Sequence, residues 1–105
     1  MNSFYSISEK NFKNNPKKIF FYDFTHKLSG ENCLKNLYFI SNFIKKNKIK
    51  SIGISCKNNI YWPLWYLSAM QFCKDVYILS PNYPGLLIKK IQKRYKINLI
   101  IKKMN

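Results

Sequence analysis

The decapeptide DVYILSPNYP, residues 75–84, decides the fold because it joins a strand to the start of a helix. Val76–Leu79 is a short apolar run typical of a buried strand. The turn-forming residues Ser80, Pro81 and Asn82 end that run, and Pro84 stands where a helix can begin, because proline fits the first turn of a helix. A strand, a tight turn and a helix within ten residues are typical of an α/β protein.

The segments on either side of this decapeptide repeat the alternation of strand and helix. Before the decapeptide they predict a strand at Ser51–Cys56 and a helix from Asn58-Asn59 to about Phe72, with Pro63 in its first turn. After it they predict a helix from Pro84 and a strand at Ile97–Ile101. The apolar side of that helix contains Leu87, Ile88, Ile91 and Tyr95. Short strands that are nearly all apolar are typical of parallel sheets covered on both faces. We therefore predict an α/β fold with a doubly wound, mostly parallel sheet, flanking helices and right-handed crossovers.

The N-terminal half contributes two helices and a small hairpin. The pattern predicts a first helix over residues 2–14 with Phe4, Ile7 and Phe12 on one side. The hairpin is predicted as a strand at Ile19–Phe24, a turn at Thr25-His26-Lys27 and a return strand at Leu28. The second helix is predicted to be capped by Ser29 and to bury Cys33, Leu37, Ile40 and Ile44. Glu31 lies in the first turn of that last helix, where its charge complements the helix dipole.

Length and composition indicate one unit. A chain of 105 residues with 47% hydrophobic and 22% charged residues has the composition of a globular protein, so residues 1–105 are predicted to form a single α/β unit. The polar N-terminus lacks the apolar region of a secretory signal. The longest apolar stretch, Ile60–Met70, is interrupted by Pro63 and Ser68 and is shorter than the ~20 residues that span a bilayer. We expect a cytoplasmic protein without a membrane span.

The net charge of +15 makes a polyanion a candidate partner. The chain holds eighteen lysines but only one arginine, Arg94, although arginine is the residue that recognises phosphates and bases bidentately. It also holds fourteen isoleucines and one valine, a skew that AT-rich codons produce. Lysines placed by codon bias on solvated faces carry no function, so nucleic acid is not the expected partner.

The sequence offers few groups for catalysis. Gly30, Gly53 and Gly85 belong to no GxGxxG or GxxxxGK[ST] loop, which argues against a dinucleotide or P-loop site. His26 and Asp23 form a possible acid/base pair, although a solvated turn histidine is the commoner situation. The remaining acids, Glu9, Glu31 and Asp75, are scattered, and Cys33, Cys56 and Cys73 form no CxxC motif and fit reduced, buried thiols. No catalytic, cofactor-binding or metal-ligating residue is predicted. The aromatic run YWPLWY, residues 61–66, is assigned to core packing rather than to base stacking.

Four segments carry a resemblance to a known family. IFFYDFTHKLSGENCL (19–34) resembles a strand, a turn and the "L-T-Y-x-E-L" helix start of AMP-forming acyl-CoA synthetases and related acid-thiol ligases, the acyl-adenylate-forming superfamily. IKKNKIKSIGISCKNNIYW (44–62) is similar to "gv..gd.Vai...N...w", SAMQFCKDVYILSPNYP (68–84) to "A.l.aGavyvpl.P.yP", and LLIKKIQKRYKINLII (86–101) to "el..il.ds.ak.vi". The chain departs from the pattern at Gly30, where tyrosine is usual, at Cys73-Lys74 in place of glycine-alanine, and in a loop before Pro81 that is one residue short.

The resemblance implies that this chain is the N-terminal portion of a larger enzyme. Full-length members use ATP, Mg²⁺ and a carboxylic acid to form an acyl-adenylate, and then transfer the acyl group to a thiol such as coenzyme A. The family's phosphate loop and mobile C-terminal lysine have no counterpart in these 105 residues. We therefore expect a fragment that is inactive alone, whose partner is the missing C-terminal remainder, and whose surface is apolar where that remainder is lost.

Two other functions remain open from the sequence. The chain could be an independent basic α/β module that binds RNA or another polyanion, which requires lysines gathered on one face. A stand-alone enzyme is the third hypothesis, and the few acid/base and nucleophile candidates disfavour it. The resemblance fits aryl-acid and fatty-acid ligases alike.

Overall fold

The computed structural model describes residues 3–104, and within them the chain forms four helices and five strands. In chain order these are α1 (Phe4–Asn14), β1 (Ile19–Tyr22), β2 (Lys27–Ser29), α2 (Gly30–Lys46), β3 (Ser51–Ile54), α3 (Trp62–Phe72), β4 (Asp75–Ile78), α4 (Gly85–Tyr95) and β5 (Leu99–Ile101). The predicted elements are present in the predicted order. Residue 2, where the first helix was predicted to start, lies outside the described residues.

A small parallel sheet forms the centre of the C-terminal half. β3 lies between β4 and β5 and runs parallel to both, with Ile52 aligned to Val76 on one side and to Leu99 on the other. Every residue of β3 is buried, as its apolar sequence predicts. The prediction of parallel strands is confirmed for this sheet.

Helices flank both faces of the sheet. Ile52 and Ile54 belong to the same core cluster as Leu37 of α2 and Leu64 of α3. Side chains alternate along a strand, so position 53 faces the other side of the sheet. Tyr77, which is aligned with Gly53 in the sheet, contacts the ring of Tyr95 in α4 at 5.5 Å between centroids. The structure is therefore α/β with a small parallel sheet and flanking helices. Three strands do not establish the larger doubly wound arrangement predicted from the sequence.

The helix α2 forms the other half of the core. The side chain of Ser29 accepts a hydrogen bond from the backbone N–H of Asn32 and so caps the helix, as predicted. The stripe of Cys33, Leu37, Ile40 and Ile44 is buried as predicted. Lys45 and Lys46 in the last turn complement the helix dipole.

The predicted buried face of α1 is wrong at two of three positions. Phe4 is 80% exposed and Ile7 is also exposed, whereas Tyr5 and Phe12 are buried. The difference is explained by hydrogen bonds between buried hydroxyl groups. The hydroxyl of Tyr5 forms a hydrogen bond with Ser41 of α2 at 3.0 Å, and Ser41 in turn contacts the hydroxyl of Ser68 of α3 at 3.1 Å. This buried hydroxyl chain joins three helices and rotates α1 so that Tyr5 faces inward.

β1 and β2 form a separate antiparallel hairpin. The predicted strand to Phe24 is too long, because β1 ends at Tyr22 and Asp23 begins the turn. The Asp23 carboxylate accepts hydrogen bonds from the backbone N–H groups of Thr25 (2.8 Å) and His26 (2.7 Å). Such an aspartate turn replaces the strand ladder locally, which explains why the strand stops there. The side chain of Phe24 is consequently fully exposed.

Among the helices of residues 3–104, none combines the length and apolar character that crossing a bilayer requires.

The tight approach of α1 to the start of α2 yields a test of the fold. A Cβ at Gly30 would overlap the carbonyl oxygen of Asn15 and lie 2.7 Å from that of Phe12, and both are backbone atoms that cannot move without shifting the chain. We expect Gly30→Ala to lower the free energy of unfolding by about 2 kcal/mol or more, measured by urea denaturation. A Cβ at Gly85 meets nothing within 4 Å. Gly85→Ala is the matched control and is expected to leave stability equal or raise it by about 0.5–1 kcal/mol. Equal loss in both variants would contradict this packing.

Candidate functional site

The predicted acid/base pair is part of an exposed turn. The Nδ1 atom of His26 lies 3.8 Å from the Asp23 carboxylate and 2.7 Å from the hydroxyl of Thr25, and the His26 side chain is 65% exposed. The backbone N–H groups of Thr25 and His26 lower the pKa of Asp23 because they bind its ionised form. These contacts are all local to residues 23–26, so the geometry is that of a structural turn.

The three cysteines are free and lie apart from one another. Cys33 is completely buried, and burial raises its pKa to about 11. Burial also raises the pKa of Cys73. A thiol with a raised pKa is a weak nucleophile at neutral pH. Within residues 3–104, no group of three histidine, cysteine, aspartate or glutamate side chains is placed to hold a metal ion.

The turn after β4 lies at the carboxyl edge of the parallel sheet. The hydroxyl of Ser55 donates to the carbonyl of Ser80 at 3.0 Å, and the hydroxyl of Ser80 accepts from the backbone N–H of Asn82 at 3.2 Å. These bonds fix the turn against the end of β3. The decapeptide therefore shapes one wall of a groove at this edge, where Pro81 is among the lining residues and offers no reactive group.

Two apolar grooves lie on either side of the outer face of α3. One groove, of about 420 Å³, lies between α1 and α3, and the other, of about 740 Å³, lies between α3 and the end of β4. Tyr66 and Leu67 line both of them, so the two grooves adjoin at these residues. We call their joint lining the α3 surface. Its members with apolar side chains that reach solvent include Phe4, Trp62, Pro63, Tyr66, Leu67, Met70, Ile78 and Pro81.

The α3 surface contains no charged side chain among residues 3–104. This is unexpected in a chain with eighteen lysines. The sequence of α3, WPLWYLSAMQF, has no charge and no polar face, yet Met70 of α3 is 56% exposed, and Ile78 of β4, which lines the second groove, is 54% exposed. A helix that is apolar on all sides is normally buried in a larger structure. The lack of a polar face is visible in the sequence and indicates burial of α3. Only the fold shows which side of α3 remains exposed to solvent.

The aromatic run 61–66 divides between the core and this surface. Trp62 and Trp65 are half-buried and pack against the core cluster, which agrees with the predicted role in packing. Trp62 also stacks on Tyr66 at 5.4 Å between centroids, and both rings line the α3 surface. The side chain of Asn59 accepts hydrogen bonds from the backbone N–H groups of Tyr61 and Trp62 in the turn before α3. The helix itself begins at Trp62, later than the predicted start at Asn58-Asn59, and its N-cap Tyr61 makes no side-chain cap hydrogen bond.

The fold matches solved structures of an adenylation enzyme. The N-terminal subdomain of Klebsiella oxytoca NpsA in complex with 3-hydroxybenzoyl-AMSN aligns with a TM-score of 0.78 over 100% of this chain and 28% of that chain, at 12% sequence identity. The same subdomain in complex with 3-hydroxyanthranilyl-AMSN gives 0.77 over 97% of this chain and 27% of that one, also at 12% identity. An artificially fused adenylation–PCP di-domain of NpsA gives 0.71 over 91% and 19%, again at 12% identity. No protein-family model and no curated protein matches the chain.

The different environments of the cysteines predict a labelling pattern. At pH 8, iodoacetamide should modify the half-buried Cys56 and leave Cys33 unmodified, because Cys33 is inaccessible and protonated. Mass spectrometry of the labelled protein measures this pattern, and labelling in urea, where both thiols are exposed, is the control. Equal labelling of Cys33 and Cys56 in the native protein would contradict the buried position of Cys33.

The resemblance found in the sequence is thus confirmed at the level of the fold, and the chain spans about a quarter of the length of the NpsA subdomain structures it matches. The chain has the fold of part of the N-terminal subdomain of Klebsiella oxytoca NpsA.

Proposed function

We propose that this chain is the N-terminal part of an AMP-forming acid-thiol ligase and contributes a scaffold rather than catalytic groups. The observation that carries the proposal is the match of 97–100% of the chain to about a quarter of an adenylation subdomain. The order of motifs along the sequence supports the same assignment independently.

The exposed α3 surface supports the proposal that this chain is part of a larger structure. Exposed apolar patches of this kind on a protein mark a surface that another chain or segment covers. In this proposal the remainder of the ligase packs on the α3 surface, with Met70, Tyr66 and Ile78 as its central contacts. The same remainder extends the small sheet, because β4 and β5 each have one unpaired edge among the described strands. The complete sheet is then the doubly wound sheet predicted from the sequence.

ATP, Mg²⁺, coenzyme A and the carboxylic acid are assigned to the remainder. The residues described here do not fit an ATP–Mg²⁺ site, since they provide neither a group of metal ligands nor a glycine-rich phosphate loop. The chain on its own is proposed to be inactive. Its three free thiols fit a reducing compartment, so we place the protein in the cytoplasm.

The first test is the nucleotide sequence downstream of residue 105. A Ser/Thr/Gly-rich loop that ends in Pro-Lys, encoded within the next hundred or so codons or in a neighbouring gene, would support the proposal. Unrelated sequence in both places would contradict an intact ligase.

The second test is the association of the chain with that remainder, expressed as a separate polypeptide. Met70→Lys and Ile78→Lys should each weaken the association by about tenfold or more, because burying such a side chain typically contributes about 1.5–3 kcal/mol. Isothermal titration calorimetry measures the affinity. Phe39→Lys is the matched control, because Phe39 is exposed on α2 and lines neither groove. An equal effect of all three substitutions would show that the α3 surface is not the contact.

A further inference from the structure

The parallel sheet brings the basic residues of three separate segments to one edge. Loops that precede the strands of a parallel sheet meet at its amino-terminal edge. Here these are the end of α2 with the loop to β3, the loop between α3 and β4, and the end of α4 with the loop to β5. The cationic residues of these segments, which we call the basic edge, are Lys45, Lys46, Lys48, Lys50, Lys74, Lys93, Arg94 and Lys96.

Backbone hydrogen bonds hold these segments in contact. The N–H of Lys74 donates to the carbonyl of Lys50 at 2.7 Å. The hydroxyl of Ser51 donates to the carbonyl of Lys96 at 3.0 Å. The side-chain oxygen of Asn98 accepts from the N–H of Lys50 at 2.9 Å. Residues that are 24 to 48 positions apart in the sequence are therefore neighbours at this edge.

The charge of the basic edge is not neutralised within the described residues. All of its members are exposed. Glu9 pairs with Lys13, Glu31 with Lys35, and Asp23 with the hairpin turn, all away from this edge. Asp75 is the one carboxylate located there among residues 3–104, and none of the ion pairs found in those residues includes a member of the basic edge. A strong positive field therefore points to solvent from one side of the sheet.

We propose that the basic edge binds single-stranded nucleic acid through its phosphate backbone. Lysines bind phosphates as point charges without reading bases, so the binding is independent of sequence. The side chain of Tyr95, 49% exposed at the same end of α4, lies against the ring of Tyr77 (5.5 Å between centroids) and the Arg94 guanidinium (5.6 Å from its ring), and the part that remains exposed can contact an unpaired base. This inference does not depend on the proposed ligase function.

The position of the apolar residues favours nucleic acid over an anionic membrane. A protein that binds a bilayer surface inserts apolar side chains next to its cations. The apolar residues within the loops that form the basic edge, Ile49 and Ile97, are buried and are not available for insertion into a bilayer.

Fluorescence anisotropy with a labelled 20-nucleotide poly(U) RNA, and with the corresponding DNA, tests the proposal. We expect the triple variant Lys46→Gln/Lys50→Gln/Lys74→Gln to bind either strand more than tenfold more weakly at low salt. Its slope of log affinity against log salt should be shallower by about 2, because each lost phosphate contact removes about 0.7. The variant Lys57→Gln/Lys102→Gln/Lys103→Gln is the matched control, because it removes the same charge from residues at the opposite, carboxyl edge. It should bind within about threefold of the wild type.

Three results would overturn the proposal. They are equal losses in the two triple variants, absence of RNA and DNA binding by the wild type at low salt, or tight binding to phosphatidylserine vesicles without binding to the oligonucleotides. Lysine acetylation of the wild-type protein, read by mass spectrometry, avoids dependence on the variants. Oligonucleotide should protect Lys50, Lys74 and Lys96 and leave Lys57, Lys102 and Lys103 reactive, and the reverse pattern would exclude the basic edge. Because this experiment uses the chain alone, it is independent of whether the ligase remainder exists.

Discussion

The pairing of β3 with a parallel strand on each side is the constraint on which the rest of the structure depends. β3 is fully buried, so its backbone groups need partners on both sides and its faces need apolar cover. Parallel neighbours require helical crossovers, which are α3 and α4. Parallel pairing also makes the two edges of the sheet different. The amino-terminal edge collects the loops rich in lysine, and the carboxyl edge collects the turn at Ser80–Asn82 and the groove beside α3.

Much of this architecture could be predicted from the sequence because its signals are local. The apolar run at Val76–Leu79, the cap at Ser29 and the stripe of α2 each depend on residues within a few positions of one another. The inward rotation of Tyr5 could not be predicted, because it depends on hydroxyl groups of Ser41 and Ser68 that only the fold brings together. The strand end at Tyr22 was missed for a different reason, since Asp23 competes for the backbone and overrides the aromatic strand propensity of the segment.

The α3 surface and the basic edge also differ in how much of them could be predicted from the sequence. The absence of charge in α3 is visible in the sequence, and it predicted burial in general without showing which face would remain open. The gathering of Lys50, Lys74 and Lys96 was not visible, because they are far apart in the chain and each one alone is an ordinary lysine at an element boundary. From the sequence alone these lysines are expected on solvated faces, and the strand order is what brings them together.

The positions of the lysines in the fold say more about function than the number of lysines does. Codon bias alone would place lysine wherever solvent reaches the chain. The α3 surface is open to solvent in the isolated chain and yet carries no lysine among the described residues, which codon bias alone does not explain. A cost for charge at an exposed position exists only if that position is covered in the working protein, since a lysine on a solvated surface is tolerated. The lysine-free surface and the lysine-rich edge thus correspond to the two separate proposals: an apolar contact on α3 and phosphate binding by the positive charge at the start of the strands.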